Sequence, residues 1–104
     1  MNGFKELFEG DITRYGEAGV RGWERRWLFY FRKSSTCKSK MLNYFYRFSF
    51  HMASKKRGIE VPHSTSIGKG LYIGHAYNIT VNGKAKLGEN INIHKGVTIG
   101  QENR

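Results

Sequence analysis

The sequence has 104 residues, room for one ordinary domain or a small one with an appendage. A hydrophobic share of 38% and an aromatic share of 14% argue against disorder, despite a formal net charge of +10. No uncharged run approaches the roughly 18–20 residues of a membrane span, and MNGFKELFEGD carries acids where a secretory signal would carry a basic stretch.

The charge is uneven. Residues 1–57 hold 13 of the 18 Lys and Arg against five acids, whereas residues 58–104 hold five bases and three acids. A single cysteine, Cys37, excludes an internal disulfide and fits a reducing, cytoplasmic compartment. It lies in KSSTCKSK without a His or second Cys at ligand spacing, so it reads as a surface or packing thiol.

In chain order, Phe4, Leu7, Phe8, Ile12 and Tyr15 fall on one face of a short amphipathic helix. Gly16, Gly19 and Gly22 then predict a loop over 16–22. WERRWLFYFRK (23–33) and MLNYFYRFSFHM (41–52) read as two further helices. In the second of them Leu42, Phe45, Ser49 and Met52 form the apolar stripe, widened by Tyr46 and Phe48. The leading expectation is that these aromatics form a helical core and that the cations are its solvated rim. An anionic membrane surface is the alternative, since aromatics beside Lys and Arg suit an interface. Nucleic acid is a weaker third reading, because no recognised nucleic-acid motif accompanies the cations. SKKRG at 54–58 reads as a charged linker between the helical half and the second half of the chain.

From Val61 onward the pattern changes to a period of six. One series of apolar anchors is Val61, Ile67, Ile73 and Ile79, and a second is Val81, Leu87, Ile93 and Ile99. The series differ in phase by two residues, which predicts a two-residue insertion near 74–80. Four positions after the anchors stand Thr65, Leu71 and Tyr77, then Ala85, Ile91 and Val97. Gly or Asn directly follows Ile67, Ile73, Val81, Leu87 and Ile99, where positive φ would be cheap for it. Neither a helix nor a flat strand has this period. It is the pattern of a hexapeptide β-helix, in which each six-residue unit makes one side of a triangular coil. The expected fold is α+β: a helical region over 1–57, then a left-handed parallel β-helix over 58–104. About two coils are few for a repeat architecture, so the chain is expected to be a C-terminally truncated piece.

GIEVPHSTSIGKGLYIGHAYNITVNGKAKLGENINIHKGVTIG resembles the serine acetyltransferase family of left-handed β-helix acyltransferases, in particular the branch of polysaccharide gene clusters. GDITRYG near the start is similar to the N-terminal region of that branch. The resemblance implies an acetyl-CoA-dependent O-acetyltransferase, trimeric when full length, with most of the CoA groove expected beyond Arg104. It also implies a catalytic histidine at His75, in IGH, and an orienting carboxylate at Glu60, in GIEVPH. The chemistry suits that pair, because a neutral imidazole can deprotonate a hydroxyl and a carboxylate can fix its tautomer. Glu60 and His75 are 15 residues apart, near the 18 of one coil.

Gly74 stands where the amino-acid branch has an Asp, and VNGK replaces its later glutamate, so a neutral sugar hydroxyl is favoured over serine. Of the other histidines, His63 reads as turn or surface, His94 as outward-facing and His51 as structural. No pair has metal-ligand spacing, so no metal is expected. The competing reading is a non-catalytic oligomerising scaffold or a membrane-surface docking fragment.

Overall fold

A computed structural model of the chain describes residues 3–16, 22–74, 77–94, 96, 98 and 99. Three helices precede six short strands: α1 (Phe4–Thr13), α2 (Gly22–Thr36), α3 (Lys40–Lys56), β1 (Ser66–Ile67), β2 (Tyr72–Gly74), β3 (Thr80–Val81), β4 (Lys86–Leu87), β5 (Asn92–His94) and β6 (Thr98–Ile99). The chain is thus α+β, with helices first and parallel strand pairs after. Among the described residues, no helix is long and apolar enough to cross a membrane.

The three helices stand where the spacing predicts them. The loop expected over 16–22 falls largely outside the described residues, though Gly22 already opens α2. α3 starts at an N-cap, Ser39, whose hydroxyl accepts from the Leu42 amide. It runs through Lys56, so SKKRG is no linker: Ser54 to Lys56 form its last turn. Ser54 is buried there and accepts a 2.8 Å hydrogen bond from the Trp27 indole. That bond and the packing beneath it hold the turn helical in spite of its charges.

α2 and α3 pack through aromatic rings. Trp27 stacks on Phe31 at 5.2 Å between centroids, and Phe50 of α3 lies 5.3 Å from Trp27 and 5.6 Å from Phe31. The expected α3 stripe, however, faces outward. Leu42, Phe45, Phe48 and Met52 are exposed, while Phe50 and Ser54 are the buried residues of the helix. Apolar residues surround α3 on both sides, so periodicity alone could not say which side meets α2.

The strands form three parallel pairs, β1 with β4, β2 with β5 and β3 with β6. In each, anchor lies on anchor: Ile67 on Leu87, Ile73 on Ile93, Val81 on Ile99. The first two pairs join residues 20 apart and the third joins residues 18 apart. A bridge from Glu60 to Thr80 again spans 20. The pairs that span 20 all enclose residues 73–79, so the two extra residues lie there, as the phase shift predicts.

Two details of the repeat differ from expectation. Tyr77 is exposed, and Ile79 is fully buried in its stead. With two residues inserted after Ile73, the inward position four past the anchor moves to 79. Positive φ also falls elsewhere than on the residue after the anchor. It occurs at Gly58, Gly70, Asn78 and Asn90, each directly before a second inward residue: Ile59, Leu71, Ile79 and Ile91. Gly68, which does follow an anchor, is needed for close approach instead. A Cβ there would lie 3.0 Å from the backbone of Gly88 and Glu89.

One core joins the halves. Trp23, Trp27, Leu28, Phe31 and Phe50 cluster with Ile59, Val61, Ile67, Leu71, Ile73, Ile79, Val81 and Ile93. The helices therefore cover the inner residues of the repeat and do not stand apart from them.

Beneath this contact lies a buried ion pair that the sequence did not reveal. The Arg32 guanidinium holds the Asp11 carboxylate through two bonds of 2.7 and 2.9 Å, and both side chains are at most 2% exposed. Arg32 also donates to the carbonyls of Ile67 and Gly68, while Asp11 accepts from the amides of Gly70 and Leu71. Each charge is saturated by partners, which is what makes its burial tolerable.

Candidate functional site

β2 ends at Gly74, and His75 directly follows it but lies outside the described residues. What holds that end of β2 is well defined. Tyr15, just past α1, accepts from the Ile73 amide at 2.9 Å and donates to the Ile73 carbonyl at 3.0 Å. Its ring stacks on Tyr72 at 4.6 Å. Burial, only partly offset by the Ile73 hydrogen bond, pushes the Tyr15 phenol up to about 12. Arg14 next to it donates to the Gly70 carbonyl at 2.8 Å and to the Asn92 side chain at 2.5 Å. The end of α1 thus clamps two strand layers at once, immediately before His75.

Across the ladder Gly74 pairs with His94. A Cβ at 74 would come within 2.8 Å of His94 Nδ1, so the missing side chain is what gives the imidazole its place. His94 is exposed, as the alternation along its strand predicts, and its ring stands 6.1 Å from that of Tyr72. An acidic residue at 74 would compete with His94 for this space. Gly74 and His94 are matched sterically across the pair.

Glu60 stands in the stretch between α3 and β1. Its backbone is bonded to the next layer, from its amide to the Ile79 carbonyl at 2.6 Å and from the Val81 amide to its carbonyl at 2.8 Å. Its partner in the ladder is Thr80, five residues past His75. Glu60 is exposed and lines a cleft of about 570 Å³ between α3, residues 59–63 and β3. Arg47, His51 and His63 line the same cleft, with Tyr44 and Phe48 forming its apolar wall. The His63 imidazole is held below its ordinary range, first by burial and then by the Arg47 cation. A neutral imidazole near neutral pH can accept a proton, so the cleft gathers a carboxylate, a cation and a proton acceptor.

The structure therefore brings Glu60 together with His51 and His63, two histidines that the sequence suggests only as structural or surface residues. Arg47 carries no signal of its own in the sequence, since one cation among aromatics makes no motif. Tyr15, which holds the strand leading to His75, is legible there only as an apolar helix residue. Among the described residues, no group of three or more His, Cys, Asp or Glu is arranged to hold a metal ion. Cys37 is half-buried and free. No family model matches the sequence, and no curated protein and no solved structure matches it either.

Proposed function

We propose that this chain carries the hexapeptide coil of an acetyl-CoA-dependent O-acetyltransferase, acting on a neutral hydroxyl such as that of a sugar or a capsular polysaccharide precursor. The observation that supports this best is the register. Anchors lie on anchors at 18 residues, with two more residues inserted in the stretch that contains His75. An 18-residue turn of parallel strands suits a left-handed triangular coil, and an insertion at its corner offers a loop for a reactive side chain. In this reading, three chains assemble side by side into a trimer.

His75 is the general base. Its imidazole takes the acceptor's hydroxyl proton as the oxygen attacks the thioester carbonyl. The tetrahedral intermediate then collapses, the C–S bond breaks, and the imidazolium returns its proton to the leaving CoA thiolate. Glu60 is the orienting carboxylate, carried over from the resemblance of GIEVPH. Gly74 stands where the amino-acid branch has an acid to hold an ammonium, and its lack of a carboxylate favours a neutral acceptor.

Thiol release from acetyl-CoA tests the assignment directly. His75→Ala should lower turnover by roughly 10²–10⁴-fold, the usual cost of a lost general base. Near-normal turnover would remove His75 from that role. Comparing kcat/KM for a sugar and for free serine tests the acceptor, and efficient serine acetylation would overturn the preference.

A further inference from the structure

α3 carries a second apolar face that stays exposed among the described residues. Met41, Leu42, Tyr44, Phe45, Phe48 and Met52 are between 43% and 84% exposed. At 3.6 residues per turn, Met41, Tyr44, Phe45, Phe48 and Met52 share one arc and Leu42 borders it. The opposite arc, with Phe50 and Ser54, meets α2. Scattered exposed hydrophobics are ordinary, whereas a row that runs from Met41 to Met52 along one helix marks an interaction surface.

The charges around that row indicate what it binds. α3 contains Lys40, Arg47, Lys55 and Lys56 and no acidic residue. All four cations are exposed, and among the described residues none of them forms a salt bridge. Lys56 borders the apolar arc beside Phe45, Lys55 falls within the arc near the C-terminal end of the helix, and Lys40 and Arg47 lie beyond its other border. A second copy of the chain is a poor occupant. Self-pairing of this face would set cations against cations, without an acid on the helix to offset them. One border of the row, at Tyr44, Arg47 and Phe48, also walls the cleft beside Glu60, whereas Met41, Phe45 and Met52 face outward alone. Methionine, leucine and phenylalanine over lysine and arginine form the composition of a helix lying in a headgroup layer.

We propose that the outward face of α3 docks on an anionic lipid bilayer, with Phe45, Phe48 and their neighbours entering the interface and Lys40, Arg47, Lys55 and Lys56 on the lipid anions. The helix lies flat on the surface and does not cross it. This inference is independent of acetyl transfer and holds for an inactive chain as well.

Co-sedimentation with phosphatidylcholine vesicles, with and without phosphatidylserine, tests it on the intact protein. The protein should pellet with the anionic vesicles only, and leave them as salt rises. Lys40→Gln, Lys55→Gln and Lys56→Gln together should lower partitioning about a hundredfold, at about fivefold per cation. Phe45→Ser with Phe48→Ser should abolish binding while leaving the circular dichroism and the unfolding midpoint unchanged. In a Phe48→Trp variant, lipids brominated in their acyl chains should quench the added emission. Failure of the unmodified protein to bind anionic vesicles would overturn the proposal. So would an oligomer that falls apart on Phe45→Ser with Phe48→Ser, since the face would then belong to a second copy. His75→Ala should leave vesicle binding intact, which separates this test from that of the acetyl-transfer reading.

Discussion

α2 and α3 are built from nearly the same materials and serve opposite ends. Each is rich in aromatics and cations, and each is amphipathic by spacing. In α2 Trp23, Trp27 and Phe31 are buried, and so is the cation Arg32. In α3 most aromatics are exposed and only Phe50 and Ser54 are buried. Position explains the difference. α2 packs against both α1 and α3, so most of its circumference has a neighbour; α3 has one side left over. A helix's composition thus limits what it can bury, but the number of neighbours decides what it does bury.

The sharpest way to break the comparison is at Arg32, where α2 buries a charge. Arg32→Met strands the Asp11 carboxylate in the core, and should cost about 3–5 kcal/mol in urea unfolding. Adding Asp11→Leu should restore much of that loss, because the stranded charge and not the lost contact dominates. Failure of the double variant to recover would show that the amide bonds of Gly70 and Leu71 to Asp11 matter more than the pair itself.

A second experiment sets the two faces of α3 against each other. Phe50→Ala opens a cavity beside Trp27 and Phe31 and should cost about 3–5 kcal/mol. Phe48→Ala, on the outer face, should change stability by no more than about 0.5 kcal/mol. Equal costs would mean that the outer face is covered in the folded protein.

The smallest effect concerns the clamp between α1 and β2. The folded-state pKa of Tyr15 is raised to about 12 from an ordinary 10.0. The folded state therefore keeps its proton where the unfolded chain loses it. The stability that this proton supplies is fully present below pH 10 and fades as pH rises from 10 to 12. The difference in unfolding free energy between the wild type and Tyr15→Phe should shrink across that window. A constant difference would show that the phenol's proton does not contribute.

Much of this is legible in the sequence. Helix positions come from 3.6-residue spacing. The anchors and the two-residue phase shift between Ile73 and Val81 reappear as strand register, because inward residues must stack on inward residues. Three features are not legible. The outer face of α3 resembles an inner one, since apolarity does not name its neighbour. Arg32 reads as one of the solvated cations and Asp11 carries no signal, because their pairing joins residues 21 apart and needs the turn at 67–71 to complete it. The left-handed residues are misplaced by the pattern because glycine follows the anchors for close approach, as at Gly68, while Gly70, Asn78 and Asn90 take the positive φ. Of the candidate site, the outward position of His94 follows from the alternation along its strand; the grouping of Glu60 with Arg47, His51 and His63 depends on where α3 folds back.

The hub at Asp11 also sets a clock. Its carboxylate is made early in synthesis, yet the amides of Gly70 and Leu71 that complete its shell come 59 and 60 residues later. At translation rates of about 5–20 residues per second, this is a delay of roughly 3–12 s. Once Arg32 has followed, 21 residues after Asp11, it can meet that carboxylate, but their site cannot close, and the aromatic side of α2 stays in water. The helices of the nascent chain must wait for the strands, and any holding chaperone would find its target in the segment from Trp23 to Phe31.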